Sequence, residues 1–535
     1  MDNINTSKTI FRPIQNFKNI YCSKIFFMYA FFFIFYLWLA LQIPYTHDDW
    51  DWGLPNGLHQ LFSANINSRY AGNFFEVIMT RSYFLKSIIM GITFWSIPWL
   101  ITNLSINLDK KNFNEKEYIS KKLHIFIWCN ILLLSMPTNI WQQTYGWVAG
   151  FSNFVLSTLF FLIYLQIWHF IFEKKNLTEF SLILNFAIFI FAIFMQLFIE
   201  NLTLITLFIS IFFILIYYLQ NKHFSLIEFL ILLGNFIGAA IMFSSNIYGT
   251  LLNTGKAVNG YRQLTFNPNS SFINIISGFI KSFFLNIAPA IWQNNKILCC
   301  FISIVFIIYL IYLYGSISKG ISRILIVLHI VFSLYYILNT AIECTHIFFD
   351  TQINYFHIII SWSFFFFILI NLIIFKHYKL KNTYTALFLW LLTPLVMCPM
   401  VAINTVGLRS YFTTTCFLVV FSCTMLNSAL NLVSTHTTLS NIIKKHTKKL
   451  KLVSFLLLFF ICIFRGNVYY KIGQTNRERY VLIKNAITHN KNEIYLKNYP
   501  HEEYLWYPNP SNEQRLIFFK EFYRIPQNVE IHFNF

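Results

Sequence analysis

Apolar blocks of about 18 to 23 residues recur along almost the whole chain, the length an α-helix needs to cross ~30 Å of hydrocarbon. In lipid no water satisfies backbone N–H and C=O groups, so blocks of this kind fold as helices. Of the 535 residues, 11% are charged and 56% hydrophobic. A soluble domain carries about a quarter charged residues. The expected fold class is therefore an all-α polytopic membrane protein.

The apolar blocks fall at 25–43, 83–107, 124–137, 151–172, 180–199, 202–220, 224–243, 297–316, 324–342, 353–375, 384–401, 411–430 and 452–464, which predicts about 13 transmembrane helices. With the N-terminus in the cytoplasm, Lys110, Lys111, Lys116, Lys121, Lys122, Lys174, Lys175, Lys222, Lys319, Arg323, Lys376, Lys379 and Lys381 share one side with the basic run Lys444, Lys445, Lys448, Lys449 and Lys451. Outer loops up to residue 410 hold few basic residues, as the positive-inside rule requires. Segment 272–293 is apolar enough to span, but counting it reverses this pattern downstream. It is read as an interfacial or re-entrant helix on the outer face, with a fourteenth span as the alternative. The first block follows Lys8, Arg12, Lys18 and Lys24 and is too long for a usual signal sequence, so an uncleaved first span is expected.

The net charge of +19 is accounted for by loops that face anionic headgroups, so membrane lipids, and no nucleic acid, are the expected partner of these charges. The nine cysteines lie mostly inside apolar blocks and form no C-x-x-C pair. They read as small core residues, neither a zinc site nor a disulfide framework. No P-loop is present, so an activated substrate or a gradient must drive any reaction.

Residues 465–535 have another composition, rich in Asn, Tyr, Pro, Glu, Lys and Arg. Helices near 473–488 and 512–523 and strands near 493–497 and 529–533 are expected, punctuated by proline. The predicted organisation is a transmembrane domain over 1–464, with outer loops 44–82 and 244–296, and a small extracytoplasmic α/β C-terminal module over 465–535.

Acidic residues are scarce here, and three fall within four positions just past the first span: Asp48, Asp49 and Asp51. Such a group can bind a divalent cation or take a proton from an attacking hydroxyl. Further along the same loop, Arg69, Asn73 and Glu76 fall on one face of a predicted interfacial helix, beside Tyr70. The second outer loop holds Trp141, Gln142, Gln143, Tyr145 and Trp147, whose rings and amides suit sugar stacking; an aromatic belt at the membrane interface is the competing reading. Glu200-Asn201 places the one acid of residues 180–227 at an outer turn. Segment 244–296 is long enough to act as a lid. Glu343, His346 and Asp350 form another outer turn, read mainly as solvated. Arg409, near Tyr411, suits a phosphate or pyrophosphate at a span end.

Asp48-Asp49, the run Asn67-Ser68-Arg69-Tyr70-Ala71-Gly72-Asn73, Glu200-Asn201 and Gly407-Leu408-Arg409-Ser410 together resemble a group of bacterial polytopic proteins related to the glucosyltransferases that modify O-antigen. The chain is similar more broadly to the GT-C glycosyltransferases, which include protein mannosyltransferases, aminoarabinose transferases and oligosaccharyltransferases. The resemblance covers essentially the whole chain through short motifs. It implies a GT-C-like fold in the bacterial cytoplasmic (inner) membrane, N-terminus cytoplasmic and C-terminus extracytoplasmic. It implies transfer of a sugar, with inversion, from a polyprenyl-phosphate donor to a glycan or lipid acceptor on the outer face. Asp48 and Asp49 would coordinate a divalent cation (Mg2+ or Mn2+) or activate the acceptor. Glu200 joins them as a catalytic candidate; Arg69, Tyr70, Asn73, Glu76, Asn201, Arg409, Tyr411, Trp141 and Tyr145 are candidate substrate contacts. Two departures stand out. Ser68 replaces the family's Gly before Arg-Tyr, and Ser244-Ser245-Asn246 stands where a Pro-Gly-Asn is expected. The alternatives are a polytopic transporter or flippase, against which the acids sit at loop rather than mid-membrane positions, and an O-antigen polymerase or ligase, which usually has a large Arg-rich late loop.

Overall fold

The computed structural model describes residues 24–534, apart from 65–66, 107–114, 174–180, 257–262, 316, 345–354, 381, 405 and 436. The chain is overwhelmingly helical. Ten helices are long and apolar enough to cross a membrane: Ile25–Gln42, Tyr83–Ile106, Val148–Glu173, Glu200–Asn221, Phe272–Asn294, Lys319–Ile342, Tyr355–His377, Thr383–Ala402, Leu408–Leu432 and the apolar part of Lys451–Thr488. Leu226–Met242 and Asn246–Thr254, bent by 67°, make an eleventh if taken as one span. Leu182–Met195 and Lys296–Tyr312 are shorter apolar helices, and block 124–137 lies at the end of Glu115–Leu134. The chain is thus a multi-pass membrane protein.

Local sequence starts several of these helices. The Ser181 hydroxyl accepts from Leu184 N–H, and the Ser271 hydroxyl from Asn274 N–H. Ser225 and Glu228 form a reciprocal capping box, satisfying N–H groups that a helix start leaves unpaired. Between helices the core is filled by large rings. Trp292 stacks on Trp390 at 4.7 Å, and Phe365 stacks on Trp390 at 5.7 Å.

Cross-links between helix ends sort the loops into two sets. At one end Ala71 N–H donates to Leu197 O, Ser245 to Ala64 O, and Arg409 N–H to Gln143 Oε1. At the opposite end Lys121 meets Asn431 and Lys451 meets Ser120. The acidic loop belongs to the first set, hereafter the site end.

Helix Phe272–Asn294 is long enough to cross, but it meets the site-end turns of its neighbours. The Phe284 carbonyl accepts from Trp362 Nε1, and nine residues on, Gln293 donates to Ser361 Oγ and the His357 carbonyl. Tyr411 Oη donates to the Ile287 carbonyl. These bonds tie the later half of the helix to the first turns of Tyr355–His377 and to the start of Leu408–Leu432.

The tail carries the expected elements. Strands β1 (Glu493–Lys497) and β2 (Glu530–Asn534) pair in parallel, Glu493 opposite Glu530, with helix Glu513–Tyr523 between them. The expected boundary at 464/465 lies inside a single helix, Thr437–Thr488, of 52 residues. At 1.5 Å per residue it is ~78 Å long, so the span continues into the module without a joint. The module docks on the site end. His47 N–H donates to the Tyr507 carbonyl, Gln142 to the Leu505 carbonyl, and Trp50 packs edge-on against Phe519 at 5.1 Å.

Candidate functional site

The acidic loop is held by its own backbone. Arg81, at the end of helix Tyr70–Arg81, donates to the Trp52 carbonyl at 2.8 Å and to the Leu54 carbonyl at 2.5 Å. That closes the short helices Asp49–Gly53 and Pro55–Ser63 against it. Gly72 faces Asn153, and a Cβ there would fall 2.3 Å from Asn153 Oδ1. Any larger residue at 72 would displace the Asn153 carboxamide from its place beside Glu76.

The result is a cavity of about 150 Å³ lined by Asp48, Asp51, Glu76, Arg69, Arg409 and Arg515, with Asn67, Asn73, Asn153, Gln60 and two tryptophans, Trp52 and Trp147, among the rest of its wall. Carboxylate oxygens of Asp48, Asp49 and Glu76 all lie within 4.8 Å of one another. Their surroundings differ. Asp48 accepts from Trp147 Nε1 at 2.8 Å and lies 3.3 Å from His47 Nδ1. Burial acts to raise its carboxyl, but His47, Arg515 and Trp147 together hold it below the ordinary carboxylate range.

Asp49 is fully buried. Its oxygens accept from the N–H groups of Thr46 (2.9 Å), Ala149 (3.0 Å) and Val148 (3.4 Å). The last two open helix Val148–Glu173, so Asp49 caps that helix. Burial first and Asp48 second push it up to about 8, against the pull of the three amides. Glu76 is raised well above its usual range by burial and then by Asp48 and Asp49, with Arg69 opposing. Three carboxylates this close do not all ionise without positive charge between them.

Arg69 is set by Glu200. Its Nε and Nη2 reach Glu200 Oε2 at 3.0 and 2.9 Å, and Tyr248 Oη donates to Oε1 at 2.9 Å. Arg409 lies between two rings, 5.5 Å from the centroid of Trp147 and 5.6 Å from that of Phe154. Gln143 Oε1 accepts from its Nη1 at 3.4 Å. A Cβ on Gly407 would fall 2.8 Å from that Nη1, so glycine lets the guanidinium fold back over its own turn.

Of the residues expected at a site, Asp48, Glu76, Arg69, Asn73 and Arg409 meet at this cavity. Asp49 stands behind it, a carboxylate oxygen within reach. Glu200 stands behind Arg69, with buried Asn201 next to it. Tyr70 lines a neighbouring depression with Ser244, Ser245 and Asn246. Trp141 and Tyr145 are core residues. Trp141 Nε1 bonds Tyr469 Oη, and the Tyr145 ring packs on Phe94 and Phe412. Tyr411 faces a different, larger cavity. The side chains of Glu343, His346 and Asp350 lie outside the described residues.

Arg515, in the module, had no local signal in the sequence, because only docking brings it here. Asn153 had one: it is a carboxamide near the start of a predicted span.

The wall fits a divalent cation. Glu76 Oε1, Asn73 Oδ1 and Asn153 Oδ1 are buried acceptors with no hydrogen-bond donor, and Asn153 Nδ2 reaches Glu76 Oε2 only at 3.5 Å. Hard oxygen atoms left without donors are the ligand set Mg2+ or Mn2+ prefers. A second group, Glu493, Glu530 and His532, sits on the exposed strand pair, where water serves its polar atoms. No family profile, no curated protein and no solved structure matches this chain.

Proposed function

We propose that this protein is a membrane-embedded glycosyltransferase of the GT-C type, moving a sugar from a polyprenyl-phosphate donor to a glycan or lipid acceptor at the extracytoplasmic face of a bacterial inner membrane. One observation carries the reading. Asp48, Asp51 and Glu76 share a small cavity with Arg69, Arg409 and Arg515, at the ends of apolar helices. Glycosyl transfer from a phosphate needs both kinds of group. The attacking hydroxyl loses a proton as its oxygen bonds the anomeric carbon, and the bond from that carbon to the phosphate oxygen breaks. The leaving phosphate carries the negative charge away.

Asp48 suits the base. It lines the cavity, beside the arginines, and its carboxyl is ionised at neutral pH. Arg409 and Arg515 suit the leaving phosphate, since fixed guanidinium groups stabilise charge as it develops. Arg69 supports them, its orientation held by Glu200. A divalent cation bound by Asp48, Glu76 and Asp49 would add positive charge at the same place. The Trp52 and Trp147 rings suit stacking on a sugar. A lipid-linked donor reaches this level by lateral diffusion, which fits a site at a bundle end.

The same reading takes thirteen crossings, with Phe272–Asn294 lying across the site end. Loops then alternate sides consistently, and the basic residues collect at the opposite, cytoplasmic end. The test is Asp48→Asn, followed by mass spectrometry of the cell-surface glycan at matched protein level. Loss of one sugar substituent is expected; an unchanged glycan rejects the reading.

A further inference from the structure

The small cavity, at about 150 Å³, is well below the ~300 Å³ at which usual small-molecule sites begin. It takes the reacting ends of its ligands and little more, so the bulk of a glycan has to lie outside it. Exposure marks the rim. Asp48 lines the cavity and keeps 24% of its side chain exposed; His47, outside the lining, keeps 22%.

Four rings from two parts of the chain gather at this rim. His47 and Trp147 belong to the bundle, Trp506 and Tyr507 to the module. Trp147 lines the cavity, and its centroid lies 6.1 Å from that of Trp506, the two planes tilted by 34°. Trp506 meets Tyr507 at 4.6 Å, and the His47 ring lies 5.7 Å from Trp147 and 5.3 Å from Tyr507. Exposure climbs outward, from Trp147 at 6% through half-buried Trp506 to Tyr507 at 50%. The rings make one aromatic surface from the cavity wall to solvent.

The backbone beneath it is held closely. Trp506 N–H donates to the Gly146 carbonyl at 3.4 Å, and a Cβ on Gly146 would fall 2.0 Å from the Tyr504 carbonyl oxygen. Module and second outer loop therefore meet main chain to main chain beside Trp147. His47 and Tyr507 both take left-handed backbone, with φ of 53° and 43°, a conformation that costs energy for any residue with a Cβ. A hydrogen bond from His47 N–H to the Tyr507 carbonyl, 3.2 Å, ties the two together. A half-exposed ring on such backbone adds little to core packing, and strain of this kind collects at ligand sites.

We infer that Trp506 and Tyr507, with Trp147, form a stacking platform for the pyranose rings of a glycan, and that the module holds the acceptor there with one hydroxyl at Asp48. The acceptor role rests on the transferase reading; sugar binding by the platform does not. A pyranose ring has an apolar C–H face that lies flat on an aromatic ring, and Trp and Tyr offer such area at little cost in side-chain entropy. A lipid-linked donor comes from the bilayer, which leaves the module side to the acceptor.

The test uses the full chain in nanodiscs of neutral lipid and calorimetric titration with maltotetraose, cellotetraose and mannotetraose. At least one is expected to bind. Tyr507→Gly removes the ring and leaves a residue at ease in left-handed backbone. Its melting temperature is expected to hold or rise, while affinity for the sugar falls about tenfold. Trp506→Ala is expected to weaken binding about tenfold or more, and Trp506→Phe to keep most of it. Binding of none of the three sugars overturns the inference, as does binding indifferent to either Tyr507→Gly or Trp506→Ala. Platform-dependent binding in a protein whose Asp48→Asn variant leaves the surface glycan unchanged upholds the platform while rejecting the transferase reading. Glycan loss in that variant, with no sugar bound by the nanodiscs, rejects the platform alone.

Discussion

The two cavities at the site end differ in how they are built. The small one is assembled from side chains far apart in sequence: the first loop, helix Tyr70–Arg81, the start of Val148–Glu173, Arg409 and Arg515 of the module. The large one draws much of its wall from one stretch, 264–296, together with the ends of a few neighbouring helices. The small space is crowded with opposed charges; the large space is wide and lightly charged, with amides among its polar groups. Buried charge needs compensation within a few ångströms, and here the acids of the first outer loop find their opposite charges on Arg409 and Arg515, far along the chain.

If the small cavity is the reactive one, substitutions there should abolish turnover in proportion to their closeness to the carboxylates. Asp48→Asn is expected to act most strongly, lowering transfer about 10²–10⁴-fold, the range for a lost general base. The measurement is release of polyprenyl phosphate by the purified protein. Glu200→Gln frees Arg69 without touching the cavity wall. It is expected to lower transfer by about tenfold to a hundredfold, while Arg69→Ala combined with Glu200→Gln falls no further than Arg69→Ala alone. Additive losses in that double-mutant cycle would separate Glu200 from the clamp.

Arg515→Gln sharpens the contrast between bundle and module. A drop of about tenfold in kcat/KM, or ~1.4 kcal/mol, with an unchanged melting temperature is expected if the module contributes charge to the site. Asp49 gives a weaker, pH-dependent signal. Its proton is held up to about 8 in the folded chain against an ordinary 3.8. The folded state therefore binds this proton more tightly than the unfolded one. The stability it contributes is complete at acid pH and drains away as pH rises through about 8. Between about pH 5 and pH 8 the melting temperature should fall, and Asp49→Asn should flatten that part of the curve, read by thermal unfolding in detergent. Trp141→Phe, at the core residue once expected to stack on sugar, is expected to leave KM unchanged and to lower stability by about 1 kcal/mol through the lost Tyr469 hydrogen bond. A KM effect would return Trp141 to the site.

Much of this was legible in the residues. Apolar blocks announced the helices, although 180–199 and 297–316 shortened to Leu182–Met195 and Lys296–Tyr312. The tail elements appeared where proline and polar spacing put them, because turns and short amphipathic runs are local signals. The acidic loop announced itself by rarity. The roles within it were not legible. Asp48 and Asp49 are neighbours in sequence, yet one faces the cavity and the other caps a helix about a hundred residues away. Trp141 and Trp147 share a loop, yet one is core and the other wall.

The sequence alone determined that this chain crosses a membrane many times, since the need to satisfy every backbone group in lipid is met residue by residue within each block. It also determined where carboxylates are concentrated. Only the tertiary structure decided which of them share a cavity, that Glu200 holds Arg69, and that Arg515 arrives from the far end of the chain. Those outcomes depend on contacts between segments 99 to more than 400 residues apart, from Asp48 with Trp147 to Gln42 with Arg477, and no local pattern encodes which side chains such contacts bring face to face.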